Sequence, residues 1–156
     1  MKAWIEDRAE MEKILERAAV GRLGLVTDEG PYIVPLNFAY RDGCIYVHTG
    51  IEGRKLEEIQ KNPYVCFEVD ELLEIVPNEQ PCLFTTYYRS VITWGMARLV
   101  EDDAEKMKGL ELLLKKYASN TKHEPVPEHA LAIVNVCEIR VEKMTGKANL
   151  PEGGPG

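Results

Sequence analysis

The spacing of apolar residues changes several times along this chain, and each change marks an element. Between residues 4 and 20, Ile5, Met11, Ile14, Leu15 and Ala18 recur with charges between them, which predicts an amphipathic helix covering a sheet. Gly21 closes that helix. Residues 23–27 read as a strand, and Asp28-Glu29-Gly30 supplies the turn of a first hairpin. Residues 32–40 form a second strand, Arg41-Asp42-Gly43 a tight turn, and residues 44–48 a third strand, so three adjacent antiparallel strands are expected. Pro35 brings no N–H to a ladder, so its strand must lie at an edge, be bulged, or face something other than a neighbouring strand.

From Gly53 to Lys61 the period becomes helical, with Leu56 and Ile59 inward, until Asn62-Pro63 stops it. Residues 64–69 resume strand character, and the proline-containing stretch 70–81 reads as a polar connection whose length hints at a functional or interface loop. Residues 83–100, rich in Thr, Tyr, Val, Ile and Trp, predict one long strand bent by a bulge near Gly95, as barrels use to close. The carboxylates of Glu101-Asp102-Asp103 open a helix of about four turns, with Met107, Leu110, Leu113, Leu114 and Tyr117 on one face. A loop holding His123 and His129, read as ordinary loop residues, leads to a last strand over residues 131–144. The pattern is mainly β with flanking helices. Residues 1–150 read as one domain and residues 151–156 as a flexible tail.

Composition narrows the chemistry. Of 156 residues, 45% are hydrophobic and 29% charged, which suits a folded globular chain. The 26 acidic residues outnumber 19 basic ones, and the net charge of −7 argues against nucleic acid or an anionic membrane as partner. No apolar run approaches the ~20 residues of a membrane helix, so a cytoplasmic protein is expected. Cys44, Cys66, Cys82 and Cys137 form no C-x-x-C pair and read as reduced core residues; with three scattered histidines they offer no metal-ligand spacing.

In this acidic chain, one basic corner stands out. The segment His48-Thr49-Gly50-Ile51-Glu52-Gly53-Arg54-Lys55 places two cations in the first turn of a helix, where backbone N–H groups are unpaired and the dipole is positive. Cations are disfavoured there unless an anion is shared with them, so the corner reads either as a phosphate site or as a merely solvated turn.

With that corner, three further segments resemble the FMN-binding split-barrel superfamily that includes pyridoxamine 5'-phosphate oxidase, and within it the nitroimidazole-resistance flavoproteins. They are Gly21-Arg22-Leu23-Gly24, Ile33-Val34-Pro35-Leu36-Asn37-Phe38, and Arg89-Ser90-Val91-Ile92-Thr93-Trp94-Gly95. The resemblance covers roughly residues 10–145. It implies a six-stranded antiparallel split β-barrel with flanking helices, forming a homodimer with the flavin at its interface. It also implies FMN as cofactor. Arg54 and Lys55 would clasp the phosphate with His48 and Thr49 beside them, Val34, Pro35, Leu36 and Asn37 would lie along the isoalloxazine ring, and Ser90 would contact the flavin. His48 is then either a hydrogen-bond donor to the ribityl chain or phosphate, or a proton donor in reduction. Trp94, Tyr87 and Tyr88 fit core or dimer packing.

The C-terminal substrate-binding Trp and Arg of pyridoxamine oxidases have no counterpart, which weighs against an oxidase of that vitamin. The expectation is an NAD(P)H-dependent reductase of small acceptors such as nitroaromatics. The nicotinamide would bind in passing, since no G-x-G-x-x-G fingerprint is present. The alternative is a flavin, F420 or haem carrier of the same fold that does not turn over.

Overall fold

The computed structural model describes residues 2–151. Eight strands and three helices follow in the order β1 (Lys2–Ile5), α1 (Arg8–Arg17), β2 (Gly21–Thr27), β3 (Gly30–Leu36), β4 (Ala39–Arg41), β5 (Cys44–Thr49), α2 (Arg54–Lys61), β6 (Tyr64–Val76), β7 (Thr85–Leu99), α3 (Asp103–Tyr117) and β8 (Asn135–Asn149). They form one antiparallel sheet in the order β3-β2-β6-β7-β8-β5-β4, with β1 added to β8. Leu23 and Leu25 near one end of that path share a single core with Ile45 and Val47 near the other, together with Val65, Phe67, Val91 and Ile139 between them. Only a sheet rolled onto itself brings both ends into one apolar interior.

The predicted elements are present, with instructive exceptions. The sheet has eight strands rather than six. The first predicted helix is split: Trp4 and Ile5 belong to β1, and α1 starts where the Asp7 carboxylate accepts from Ala9 N at 2.9 Å. A capping acid ended the strand where apolar spacing alone ran on. Gly21 opens β2 instead of closing a helix, because a Cβ there would meet the Phe67 ring at 2.0 Å.

The expected second strand is two strands, and the three-strand meander does not form. Phe38 turns inward to stand edge-on to Phe67, 5.0 Å between centroids, and its N–H is taken by the Tyr117 hydroxyl at 3.0 Å, which breaks the ladder. As a result β3 pairs only with β2 and β4 only with β5, at opposite ends of the sheet. Pro35 therefore lies in an edge strand, one of the places where a residue without N–H is tolerated.

Residues 70–76, read as connection, extend β6, which pairs with β7 as far as Val76↔Thr85. The bend in β7 lies where expected: the register shifts between Trp94 and Gly95, and a Cβ on Gly95 would be 1.9 Å from the Arg140 carbonyl oxygen. The last strand begins later than predicted, since residues 128–132 form a 3-10 turn. All four cysteines are free, but Cys82 is exposed at the turn before β7 and is no core residue. The predicted loose tail at 153–156 lies outside the described residues. Among the described residues, no helix is long and apolar enough to cross a membrane.

Candidate functional site

The basic corner is built where β5 ends and α2 begins. Helices α1 and α3 each start with a capping aspartate, Asp7 and Asp102, whereas α2 starts at Gly53 with no side-chain cap. Gly53 has φ 139°, a conformation essentially restricted to glycine, and it lets the chain turn sharply from the strand into the helix. Its carbonyl accepts from Leu56 N at 2.9 Å and Glu57 N at 3.3 Å, closing the first turn.

The two cations of that turn stand in different surroundings. Arg54 reaches toward the β2–β3 hairpin, where Nη2 donates to Glu29 at 2.7 Å and the guanidinium stacks 4.6 Å from the centroid of Tyr32. Lys55 is half-buried on the other side, in electrostatic reach of Cys137 in β8. Burial holds its ammonium below the ordinary lysine value, and no carboxylate among the described residues forms a salt bridge with it. The same burial pushes the Cys137 thiol up to about 12, which leaves it an inert core thiol. Thr49 is buried at the end of β5, while Gly50, Ile51, Glu52 and Gly53 between it and Arg54 are exposed.

Strand β3 supplies an adjoining wall. Val34 lies opposite Leu23 and Pro35 opposite Arg22, so Val34 and Leu36 face inward, half-buried, and Pro35 faces out. Asn37, exposed at the break after β3, and His48, exposed on β5, both line a cavity of about 290 Å³. The rest of that cavity is apolar, from Leu110, Leu113 and Leu114 of α3 and Val126, Ala130 and Val134 of the following segment, with Tyr117 beside them. The Tyr117 hydroxyl donates to Ala19 O at 2.7 Å or Phe38 O at 3.1 Å while accepting from Phe38 N.

Ser90 is not brought to this place. It pairs with Lys147 across β7 and β8, its Oγ donating to the Lys147 carbonyl at 3.4 Å, whereas His48 pairs with Val136. Eleven residues of β8 separate the two, roughly 36 Å along a strand at ~3.3 Å per residue. Beside Ser90, Arg89 Nε is shielded from solvent and has no hydrogen-bond partner among the described residues.

Of the residues that the sequence singles out, the structure sets Asn37 and His48 in the cavity lining, Arg54 and Lys55 in the first turn of α2, and Ser90 apart from both; the α3 wall of the cavity is not among the residues the sequence singles out. Apolar spacing gives the leucines of α3 as one helix face, and only the later 3-10 turn, invisible to that spacing, converts part of the face into a lining. Trp94 lies on the outer face of β7 under Lys143, 5.1 Å from the ring centroid. Among the described residues, no three His, Cys, Asp or Glu side chains cluster in a way that could hold a metal ion.

Comparison with known proteins gives a consistent picture. The family model described as pyridoxamine 5'-phosphate oxidase matches residues 7–148. The crystal structure of a candidate 5-nitroimidazole antibiotic resistance protein from Bacteroides thetaiotaomicron superposes with a TM-score of 0.83 at 31% identity, over 95% of this chain and 87% of its own. An FAD-binding protein from Mesorhizobium loti superposes with a TM-score of 0.72 at 25% identity, over 96% and 99% of the two chains. An uncharacterized protein of Rhizobium meliloti is 25% identical over 153 residues, 92% of this chain and 93% of its own.

Proposed function

The chain belongs to the pyridoxamine 5'-phosphate oxidase family of split-barrel proteins, and from that premise we propose that it is a flavin-dependent reductase that binds FMN at the β5–α2 corner and uses NAD(P)H to reduce small acceptors such as nitroaromatics. The observation that carries the reading is Lys55, a half-buried cation without a salt-bridging carboxylate, in the first turn of a helix whose N-terminus no side chain caps. A desolvated charge so placed is costly by itself and favourable once a phosphate shares it. The residues present therefore fit a phosphorylated flavin.

FMN, when bound, supplies two-electron chemistry that no side chain here offers. Lys55 holds the phosphate as a point charge, and Arg54 adds a forked contact once its guanidinium turns from Glu29. Thr49 donates its hydroxyl beside them. The backbone of Val34, Pro35, Leu36 and Asn37 lines the ring's berth, and Pro35 leaves that wall without one N–H. His48, exposed at the cavity rim, is placed to hand a proton to an acceptor.

Ser90 joins this site only if a second copy supplies it, because in its own chain it pairs with β8 eleven positions away from the partner of His48. The exposed Leu72, Ile75, Leu83 and Phe84 on the β6–β7 arm favour such a homodimer, with the flavin at its interface. A second reading, a flavin carrier that does not turn over, draws support from how few polar side chains face the cavity. The test is optical. Purified protein should be yellow, bleach anaerobically with NADH or NADPH, and recover colour when a nitroaromatic is added. Flavin that stays bound but unreduced by either nucleotide sinks the reductase and leaves the carrier.

A further inference from the structure

We propose that the cavity between α3 and the 126–134 segment is the acceptor site and that it selects uncharged, flat, one- or two-ring molecules over anionic ones; this rests on reading the β5–α2 corner as the flavin phosphate site. The selection follows from the lining. No Lys, Arg, Asp or Glu contributes to it, and its walls are leucines, valines and an alanine. A carboxylate or phosphate entering between those walls would lose its water and meet no lysine or arginine in exchange, with His48 confined to the exposed margin. A flat ring would exchange water for dispersion contacts with Leu113 and Leu114 on one side and Val126 and Val134 on the other.

The polar groups sharpen the choice. Tyr117 faces the cavity with its ring only, since its hydroxyl is committed to the backbone of Phe38 and Ala19. That leaves, in the lining, Asn37, which directly follows β3, and His48, which directly precedes Thr49 of the corner, as the polar side chains free to address a ligand. The matching molecule is apolar along most of its length and carries one polar edge directed at those two groups. A volume of about 290 Å³ lies at the lower limit of the ~300–1,000 Å³ range of small-molecule sites, which excludes large ligands.

Two probes of nearly equal shape test this: neutral 4-nitrobenzyl alcohol and anionic 4-nitrobenzoate, titrated calorimetrically into the full chain after its flavin content has been measured by absorbance. The neutral probe should bind at least tenfold more tightly. Val126→Lys, on the loop after α3, should gain at least tenfold for 4-nitrobenzoate, and Leu114→Glu should lose at least tenfold for the alcohol. Circular dichroism identifies a variant that has not folded, in which case Val126→Lys, remote from the core, decides alone. Equal affinity for the two probes in the unaltered protein, or an unchanged preference in folded Val126→Lys, overturns the proposal. Displacement of the neutral probe by lumichrome, a flavin ring without a phosphate arm, would overturn it too, because the cavity would then be the ring's own berth. If the protein neither holds flavin nor takes up added FMN, the reading of the corner fails by itself, and the preference between probes still decides the character of the cavity.

Discussion

Two lysines at opposite kinds of helix end show how similar burial can serve different purposes. Lys116, in the last turn of α3, has its ammonium lowered to about 8 by burial, and Lys55, in the first turn of α2, is lowered for the same reason. Lys116 is compensated from within. Its Nζ donates to Leu15 O at 3.4 Å, lies 3.6 Å from the centroid of Phe38, and stands at the negative end of its helix dipole. Lys55 stands at the positive end of its dipole with no carboxylate paired to it. Desolvation alone therefore does not mark a functional lysine: the more strongly lowered of the two is the one with partners inside the fold, and the proposed phosphate contact of Lys55 rests on its place at the helix N-terminus without a salt-bridging carboxylate among the described residues.

If that contrast is correct, the largest effect belongs to the corner. Replacing Arg54 and Lys55 together by Ala should weaken FMN about 30-fold while riboflavin changes less than threefold, from a charge-assisted contact of about 1.4 kcal/mol at Lys55 and one of about 0.7 kcal/mol at Arg54. Fluorescence titration of both ligands measures it, and equal losses would remove the phosphate from this corner. Separately, Lys55→Ala should cost about tenfold and Arg54→Ala only about threefold, because Arg54 must leave Glu29 before it serves the ligand. Glu29→Gln should accordingly tighten FMN slightly, and a loss of affinity would mean that the ion pair prepares the site instead of competing with it.

On the other side of the contrast, Tyr117→Phe strips the acceptor from the Phe38 N–H within a fully buried residue. It should cost about 1–3 kcal/mol of stability, read as a fall in Tm of about 2–4 °C per kcal/mol. Lys116→Met is expected to leave FMN affinity unchanged and to act only on stability. In the folded protein the Lys116 ammonium deprotonates near 8, while in the unfolded chain it stays charged up to about the ordinary 10.5. The unfolded state thus binds more protons between those values, and the native protein gains stability relative to the Met variant as pH rises from 8 to 10. Thermal melts of the pair across that range check the sign, and a gap that moves the other way would show that the Phe38 ring dominates over burial.

Much of this was legible in the chain. Strands β2, β5 and β7, helices α2 and α3, the bulge at Gly95 and the basic corner all follow from local period, propensity and turn chemistry, each of which acts within a few residues. The errors arose where a distant residue decides. The ladder between β3 and β4 is broken by Tyr117, 79 residues from Phe38. The pairing of residues 70–76 depends on a partner strand whose alignment no local period reveals. The cavity, likewise, needs α3 folded against β5 and the 3-10 turn folded against α3, and its leucines look like any core stripe until both are in place. Ser90 was readable as a motif, yet its distance from His48 is a property of register, which the motif does not carry.

The two prolines of β3 have a consequence apart from any ligand. Pro31 and Pro35 sit on the same side of the strand's alternation, opposite Val26 and Arg22 of β2. Lacking N–H groups, both are accommodated where the backbone points away from the β2 ladder. The outer margin of β3 therefore offers one amide donor, at Ile33, between two blanks. A foreign strand seeking to zip onto this side would find an interrupted row, so the edge of the sheet is guarded against self-templated aggregation.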